Sequence, residues 1–218
     1  MSQSEIKNST IMEKLTWRYA VKKFDTTKKI SPQDWETLEE SLRLAPSSYG
    51  MQPWQFLVVQ SPELRKKLTP LSWGQTQIED CSHFLVIAIK SKLDEAHIEK
   101  HIKRMAEVRK IAVSQLDGMK KVIFGDLIQG PRSATINFWA QRQSYIAMGF
   151  LMETAALLNV DTCPLEGLDP KGYDKVLNLE GTGFETVAAV ALGYRHPEDK
   201  YQFMTKVRFE KSDVIKYL

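Results

Sequence analysis

The chain is poor in features that would divide it or cross-link it. Only two of its 218 residues are cysteines, Cys81 and Cys163, and they lie far apart without the C-x-x-C spacing of redox or metal sites. This scarcity favours a reduced intracellular protein over a disulfide-linked secreted one. No repeat, low-complexity tract or Pro/Gly-rich linker interrupts the sequence, so we predict a single domain over residues 1–218.

Long apolar runs are also missing. The first ten residues, MSQSEIKNST, are polar, which predicts no secretory signal peptide. The most apolar helical stretch, residues 144–158, contains Glu153 and is shorter than the roughly 20 apolar residues that a membrane span requires. We therefore expect a cytoplasmic protein with no membrane partner.

The chain has little net charge and lacks the standard catalytic motifs. The 30 basic and 27 acidic side chains leave a formal net charge of +3, and no nucleic-acid-binding motif appears. There is no Walker A sequence, no complete dinucleotide fingerprint and no G-x-S-x-G elbow. His97 and His101 lack the HExxH order, so we interpret them as part of a solvated helix face rather than as metal ligands. We predict no nucleic-acid partner and no metal, and we expect any catalysis to depend on an organic cofactor.

Hydrophobic periodicity predicts strands interleaved with helices, hence an α/β or α+β fold. Ser31-Pro32 and Ser61-Pro62 each supply an N-cap followed by a proline in the first helical turn, which predicts that helices begin there. Apolar runs predict strands at 56–59, 84–89 and 186–192 and a short segment at 162–163. Helical spacing predicts further helices at 5–15, 136–158 and 169–179, and a charged helical stretch at 94–119 within a more variable excursion at about 93–130.

The predicted helix at 136–158 is apolar around most of its circumference, which implies burial on nearly all sides. In a chain of this size, a subunit interface is a natural place for that burial. The C-terminal segment from Phe203 to Leu218 alternates only weakly between apolar and polar residues and then becomes polar.

Two basic clusters stand near opposite ends of the chain. Arg18 precedes Lys22, while Lys206 and Arg208 are two residues apart and would point the same way in an extended segment. Such a pair can hold one anion, because arginine offers a planar fork and lysine a point charge. Solvated surface clusters are the alternative. Between these clusters, the segment Pro164-Leu165-Glu166-Gly167 ends in a glycine that would let backbone N–H groups approach a flat ligand, or that simply forms a turn.

These segments resemble the motifs of the FMN-dependent nitroreductases, most closely the bacterial oxygen-insensitive enzymes also described as dihydropteridine reductases. Residues 18–25, RYAVKKFD, resemble the family's R-x-S-x-(K/R)-x-(F/Y) opening, and residues 45–54, APSSYGMQPW, resemble its A-P-S-(S/A)-x-N-x-Q-P-W loop. Residues 164–167 match P-(I/M/L)-E-G, and residues 206–208 resemble the closing K-x-R. All four occur in the family order.

The resemblance implies an α+β fold with a central antiparallel sheet flanked by helices and a C-terminal strand exchanged in the dimer. It also implies a homodimer with tightly but non-covalently bound FMN at the interface and NAD(P)H as co-substrate. Hydride would pass through flavin N5 to an electron-poor small molecule, such as a nitroaromatic, quinone, pteridine or flavin, by a ping-pong mechanism. Two alternatives stay open: a flavin-destroying or reductive-dehalogenating relative, and a non-enzymatic flavin carrier.

The resemblance also assigns roles to individual residues. Arg18, Lys206 and Arg208 would hold the FMN phosphate. Lys22 would lie near the N1/O2 edge of the flavin, and the backbone N–H groups of Glu166 and Gly167 near N5. The full predicted cofactor set is Arg18, Tyr19, Ala20, Lys22, Pro46, Ser47, Ser48, Gly50, Gln75, Gln77, Pro164, Leu165, Glu166, Gly167, Lys206 and Arg208.

Within this set, the loop residues Ser47, Ser48 and Gly50 would reach the flavin from the other subunit, and Gln75 or Gln77 would bond its pyrimidine edge. Phe124 would be an aromatic over the substrate channel. Three positions depart from the family pattern: Ala20 replaces a serine, Gly50 an asparagine, and Gly74 an asparagine that faces the flavin in many relatives.

Overall fold

A computed structural model describes residues 6–218 of the chain. Its helices are α1 (Asn8–Trp17), α2 (Pro32–Arg43), α3 (Pro62–Leu68), α4 (Gln77–Asp80), α5 (Glu95–Arg109), α6 (Asp117–Phe124), α7 (Ile136–Leu157), α8 (Pro170–Val176) and α9 (Lys211–Val214). Its strands are β1 (Trp54–Val58), β2 (His83–Lys90), β3 (Asp161–Leu165) and β4 (Phe184–Gly193). None of the helices within residues 6–218 has both the length and the apolarity needed to cross a membrane.

The four strands form one antiparallel sheet in the order β1-β2-β4-β3, with a bulge at Val187 of β4, opposite Ile87 and Ala88. Helices cover both faces of this sheet, so the predicted α+β fold with a central antiparallel sheet is confirmed. Side chains of a strand alternate between faces. Phe84 therefore packs with Tyr173 of α8 on one face, and Leu85 packs with Leu151 of α7 on the other.

The predicted helix starts are confirmed by their caps. The Ser31 hydroxyl accepts a hydrogen bond from the backbone N–H of Asp34 at 3.1 Å, and that of Ser61 accepts one from Leu64 at 3.3 Å. In both cases the side chain satisfies a first-turn N–H group that has no partner within the helix.

The remaining helices and strands are of the predicted type, but they begin and end at somewhat different residues. The strands extend beyond the apolar runs because ladder pairing includes polar and exposed positions such as Gln55, which pairs with Ala88. The helix predicted at 169–179 ends early because Asn178 adopts a left-handed conformation with φ 56°. α1 begins at Asn8, and Glu5, where the first helix was predicted to begin, lies outside the described residues.

The excursion is helical as predicted, but its two histidines are not on a solvated face. The imidazole Nε2 of His97 lies 2.8 Å from the carbonyl oxygen of Met51, and the His101 ring is partly buried beside Gly50. The interpretation as a solvated face was wrong because both residues flank the buried stripe of α5 that contains Ile98 and Ile102. Burial lowers the pKa of His101, with a smaller opposing effect of the backbone carbonyl of Tyr49, which favours the protonated ring.

The C-terminal tail, residues 204–218, leaves the body of the protomer with its apolar side chains uncovered. Val207 is 84% exposed and Phe209 is 82% exposed. On α7, Phe138 and Phe150 are exposed as well, at 64% and 45%. The single chain therefore does not bury α7 on all sides, and the exchange of a C-terminal strand with a partner stays a prediction.

Candidate cofactor site

The two basic clusters meet at one cavity of about 700 Å³. One wall is the strap, which we define as residues 18–24 between α1 and α2, and the other is the start of the C-terminal tail. The cavity is lined by Arg18 and Lys22 from the strap and by Lys206 and Arg208 from the tail. The fold thus brings together four cations from opposite ends of the sequence.

The strap is held along β3 by backbone contacts and by two buried side chains. Ala20 forms a parallel bridge with Thr162, and the N–H of Val21 donates to the Thr162 carbonyl at 3.2 Å. Val21 and Phe24 enter the core on this face of the sheet. Lys22 lies between these two anchors and lines the cavity.

A buried ion pair fixes the end of the strap at which Arg18 lies. Asp161 is 3% exposed, and its carboxylate accepts hydrogen bonds from the backbone N–H of Arg195 at 2.8 Å and from its Nε at 3.0 Å. The Arg195 guanidinium lies 4.1 Å from the ring centroid of Trp17 and 4.5 Å from that of Tyr19. The two aromatic residues on either side of Arg18 are thus both packed on one cation.

The electrostatics of the cavity favour an anion. Burial and then the nearby charge of Arg208 lower the pKa of Arg18, while burial followed by the charges of Arg18 and Arg208 lowers the pKa of Lys206. The Nε of Arg18 is buried and has no hydrogen-bond partner within residues 6–218. A phosphate group would relieve the repulsion and would supply acceptor oxygens for the guanidinium, so the residues fit a phosphorylated ligand.

Lys22 lies between the other cavity cations and the residues that are predicted to face the flavin ring. Its Nζ lies 3.7 Å from the sulfur of Cys163, whose pKa is raised by burial and lowered to a lesser extent by the Lys22 charge. The buried Gln77 side chain also contacts this thiol. Of the two glutamines considered for the pyrimidine edge, Gln77 is therefore the one next to Lys22.

The turn at Glu166 and Gly167 is held from three sides. The N–H of Leu168 donates to the Glu166 carbonyl at 2.8 Å, the Gln75 amide donates to the Gly167 carbonyl at 3.3 Å, and the Tyr145 hydroxyl donates to the Glu166 carboxylate. A Cβ on residue 167 would lie 2.7 Å from the indole ring of Trp73. The flat group that lies against Gly167 in this chain is thus the indole of Trp73, which no sequence motif had indicated.

The loop at residues 46–50 lies elsewhere in the protomer. The N–H of Ser48 donates to the Gln143 side chain at 2.9 Å, the hydroxyl of Ser47 accepts from the N–H of Gln52 at 2.9 Å, and Pro46 is exposed. Gly50 has φ 70°, and a Cβ there would lie 3.3 Å from His101 Cε1. The loop lines a second cavity, of about 490 Å³, with His101.

Phe124 also lies away from the basic cavity. It packs against the third core cluster, which includes Met51 and Ile123. The structure thus unites the strap and tail cations and places Gln77 beside Lys22, but it puts Phe124 and the loop in a different part of the protomer.

Comparison with known proteins gives consistent matches. The model of the family described as "Nitroreductase family" matches residues 15–194. A proposed NAD(P)H nitroreductase of Staphylococcus saprophyticus is 37% identical over 219 residues, covering 96% of this chain and 97% of the relative.

Among solved structures, a proposed nitroreductase of Bacillus subtilis superposes with a TM-score of 0.84 at 19% identity, covering 97% of this chain and 100% of the other. A proposed nitroreductase of Exiguobacterium sibiricum, crystallised in complex with FMN, gives a TM-score of 0.79 at 24% identity, covering 100% of each chain.

Proposed function

Because the chain belongs to the nitroreductase family, we propose that it is an FMN-dependent oxidoreductase that takes hydride from NAD(P)H and reduces electron-poor small molecules. The observation that carries the proposal is the convergence of Arg18, Lys22, Lys206 and Arg208 on one cavity, where the buried Nε of Arg18 has no hydrogen-bond partner among the described residues 6–218. FMN matches this arrangement because it combines a phosphate with a flat ring system.

Bound FMN would supply the redox chemistry, with N5 as the atom that exchanges hydride. Arg18, Lys206 and Arg208 would hold the phosphate. Lys22 would contribute a fixed positive charge that stabilises the negative charge of the reduced ring electrostatically. NAD(P)H and the acceptor would use the site in turn, in a ping-pong order. Solvent supplies protons, so no side-chain acid is required.

We further propose that the site is completed in a homodimer. The loop that contains Ser47, Ser48 and Gly50 contributes nothing to the basic cavity, and its Gly50 lines a separate one, so we assign the flavin contacts of these three residues to the partner's site. The exposed aromatics on α7 and on the tail are apolar surface that a second copy would cover.

The test is the absorption spectrum of the purified protein before and after anaerobic addition of NAD(P)H. We expect a flavin spectrum that bleaches, followed by reoxidation when a quinone or a nitroaromatic is added. Colourless protein that does not bind added FMN would refute the proposal. FMN-bound protein that does not oxidise NAD(P)H would instead support a flavin carrier.

A pair of variants tests the assignment of the phosphate site. Arg18→Gln should lower FMN retention, because it removes a cation from the cavity. Arg43→Gln is the matched control, since the Arg43 side chain is 65% exposed and pairs with Glu40 on the surface of α2. Equal FMN retention by both variants would contradict the assignment.

A further inference from the structure

Asp199 is a buried carboxylate at the joint between the strap and the tail. It is 2% exposed, and both of its oxygens accept hydrogen bonds from backbone N–H groups. Oδ2 accepts from Lys22 at 2.7 Å and from Lys23 at 3.1 Å, and Oδ1 accepts from Tyr201 at 3.0 Å.

These three amides belong to the two walls of the basic cavity. Lys22 and Lys23 are strap residues, and Tyr201 lies in the turn at Lys200–Phe203, from which the tail leads to Lys206 and Arg208. Asp199 and Lys22 are 177 positions apart in sequence. One carboxylate therefore sets the strap and the tail at a fixed spacing.

The negative charge of Asp199 would by itself disfavour an anion in the neighbouring cavity. A carboxylate near an anion site weakens anion binding, since like charges repel. In this site, however, both oxygens face backbone amides, which compensate the buried charge with hydrogen bonds. Burial raises the pKa of Asp199, but hydrogen bonds from the backbone N–H groups of Tyr201, Lys23 and Lys22 outweigh it and lower the pKa below its usual value, so Asp199 is ionised at neutral pH.

We propose that Asp199 is a positioning residue that spaces the phosphate-binding cations and thereby gives the site its preference for FMN over riboflavin. This inference rests on the proposed function, since it concerns the same site. Asp199 itself touches no ligand in this account. It acts through the backbone that carries Lys22 on one side and Lys206 on the other.

The experiment compares the dissociation constants of FMN and riboflavin for the flavin-free full-length protein, measured by quenching of flavin fluorescence. Asp199→Asn keeps the size of the side chain, but its amide NH₂ faces backbone N–H groups. We expect FMN binding to weaken about tenfold or more, as for lost charge-assisted hydrogen bonds, while riboflavin binding changes by less than about twofold because it has no phosphate.

A second variant covers the possibility that Asp199→Asn does not fold. Asp199→Ser keeps an acceptor for the nearby Tyr201 amide, as N-cap serines do, but it is too short to reach the strap amides as well. It should lower the FMN preference in the same direction. Asp25→Asn is the matched control, because Asp25 accepts from the N–H of Thr27 at 3.0 Å next to the strap and forms no bond to the tail; its FMN preference should equal that of the wild type.

Each other result has a definite meaning. Equal weakening of FMN and riboflavin by the Asp199 variants would mean general loosening and would overturn the inference. Unchanged or tighter FMN binding would mean that only the charge matters, which would also overturn it. A wild type that binds FMN and riboflavin equally well overturns the inference but leaves FMN binding intact, whereas a wild type that binds neither refutes the proposed function itself.

Discussion

Replacing Arg195 by methionine should destabilise the protein through the charge that it leaves behind. The Asp161 carboxylate is 3% exposed and would keep only its bond from the backbone N–H of residue 195. Breaking a buried ion pair from one side costs about 3–5 kcal/mol, because the remaining charge is desolvated without compensation. Lost packing of the guanidinium on Trp17 and Tyr19 adds roughly 0.5–1 kcal/mol for each ring.

A double variant separates the charge effect from the packing effect. In Asp161→Asn/Arg195→Met no buried charge is left, and neutral replacement of buried pairs is often tolerated. We therefore expect the double variant to be more stable than Arg195→Met alone by about 2 kcal/mol, which is the order of the penalty for a buried charged group left without its partner.

Urea unfolding of the flavin-free proteins at pH 7 is the appropriate assay, because bound cofactor would add its own stabilisation. Similar m-values would show that the free energies of unfolding are comparable. A loss below about 1 kcal/mol for Arg195→Met would refute the reasoning, since a buried unpaired carboxylate costs more than that. So would a double variant less stable than the single one.

Three further changes test other parts of the site. Gly167→Ala should displace the indole of Trp73, since the added Cβ would lie 2.7 Å from it. Because Trp73 is 83% exposed, its ring can move into solvent, so we expect a loss of only about 0.5 kcal/mol in urea unfolding together with a shifted tryptophan emission, and an unchanged spectrum would contradict the contact. Burial and neighbouring cations lower the pKa of Lys206 below its usual 10.5. Because Lys206 loses its charge as the pH rises through this lowered pKa, FMN affinity measured over a pH series should fall there, and Lys206→Met should abolish this decrease. Tyr145→Phe should cost about 1 kcal/mol of stability by freeing the Glu166 carboxylate, and a matching slowing of flavin reduction in stopped-flow traces would link this bond to the turn.

Local sequence signals predicted the elements that local chemistry determines. The Ser31-Pro32 and Ser61-Pro62 pairs marked helix starts because a capping hydroxyl and a first-turn proline act within a few residues. Apolar runs located β2 and β4 because central strands are buried on both faces. The ends of these elements were less predictable, since ladder pairing at Gln55 and the left-handed Asn178 depend on the tertiary environment and on individual backbone conformations.

The contacts that hold the site were not predictable in the same way. Asp199 stands among polar residues in the sequence and looks like a surface charge, and nothing next to Asp161 in the sequence indicates an ion pair. Their burial follows only from partners that are distant in the chain, such as Arg195 for Asp161 and Lys22 for Asp199. The histidines of α5 were misplaced for a related reason, because the loop at Met51 that covers them precedes them by more than 40 residues.

The separation of the buried acids from the cavity-lining bases has a physical logic. Asp161 and Asp199 are directed at backbone N–H groups and at Arg195, so their charges hold the strap in place instead of pairing with the cavity cations. Lys206 donates to backbone carbonyls of Leu15 and Arg18 rather than to a carboxylate. If the acids paired with the bases directly, each phosphate-binding cation would have to break an ion pair before it could bind its ligand. Because the acids bind the backbone instead, the fold keeps net positive charge at the cavity while leaving the buried carboxylates hydrogen-bonded.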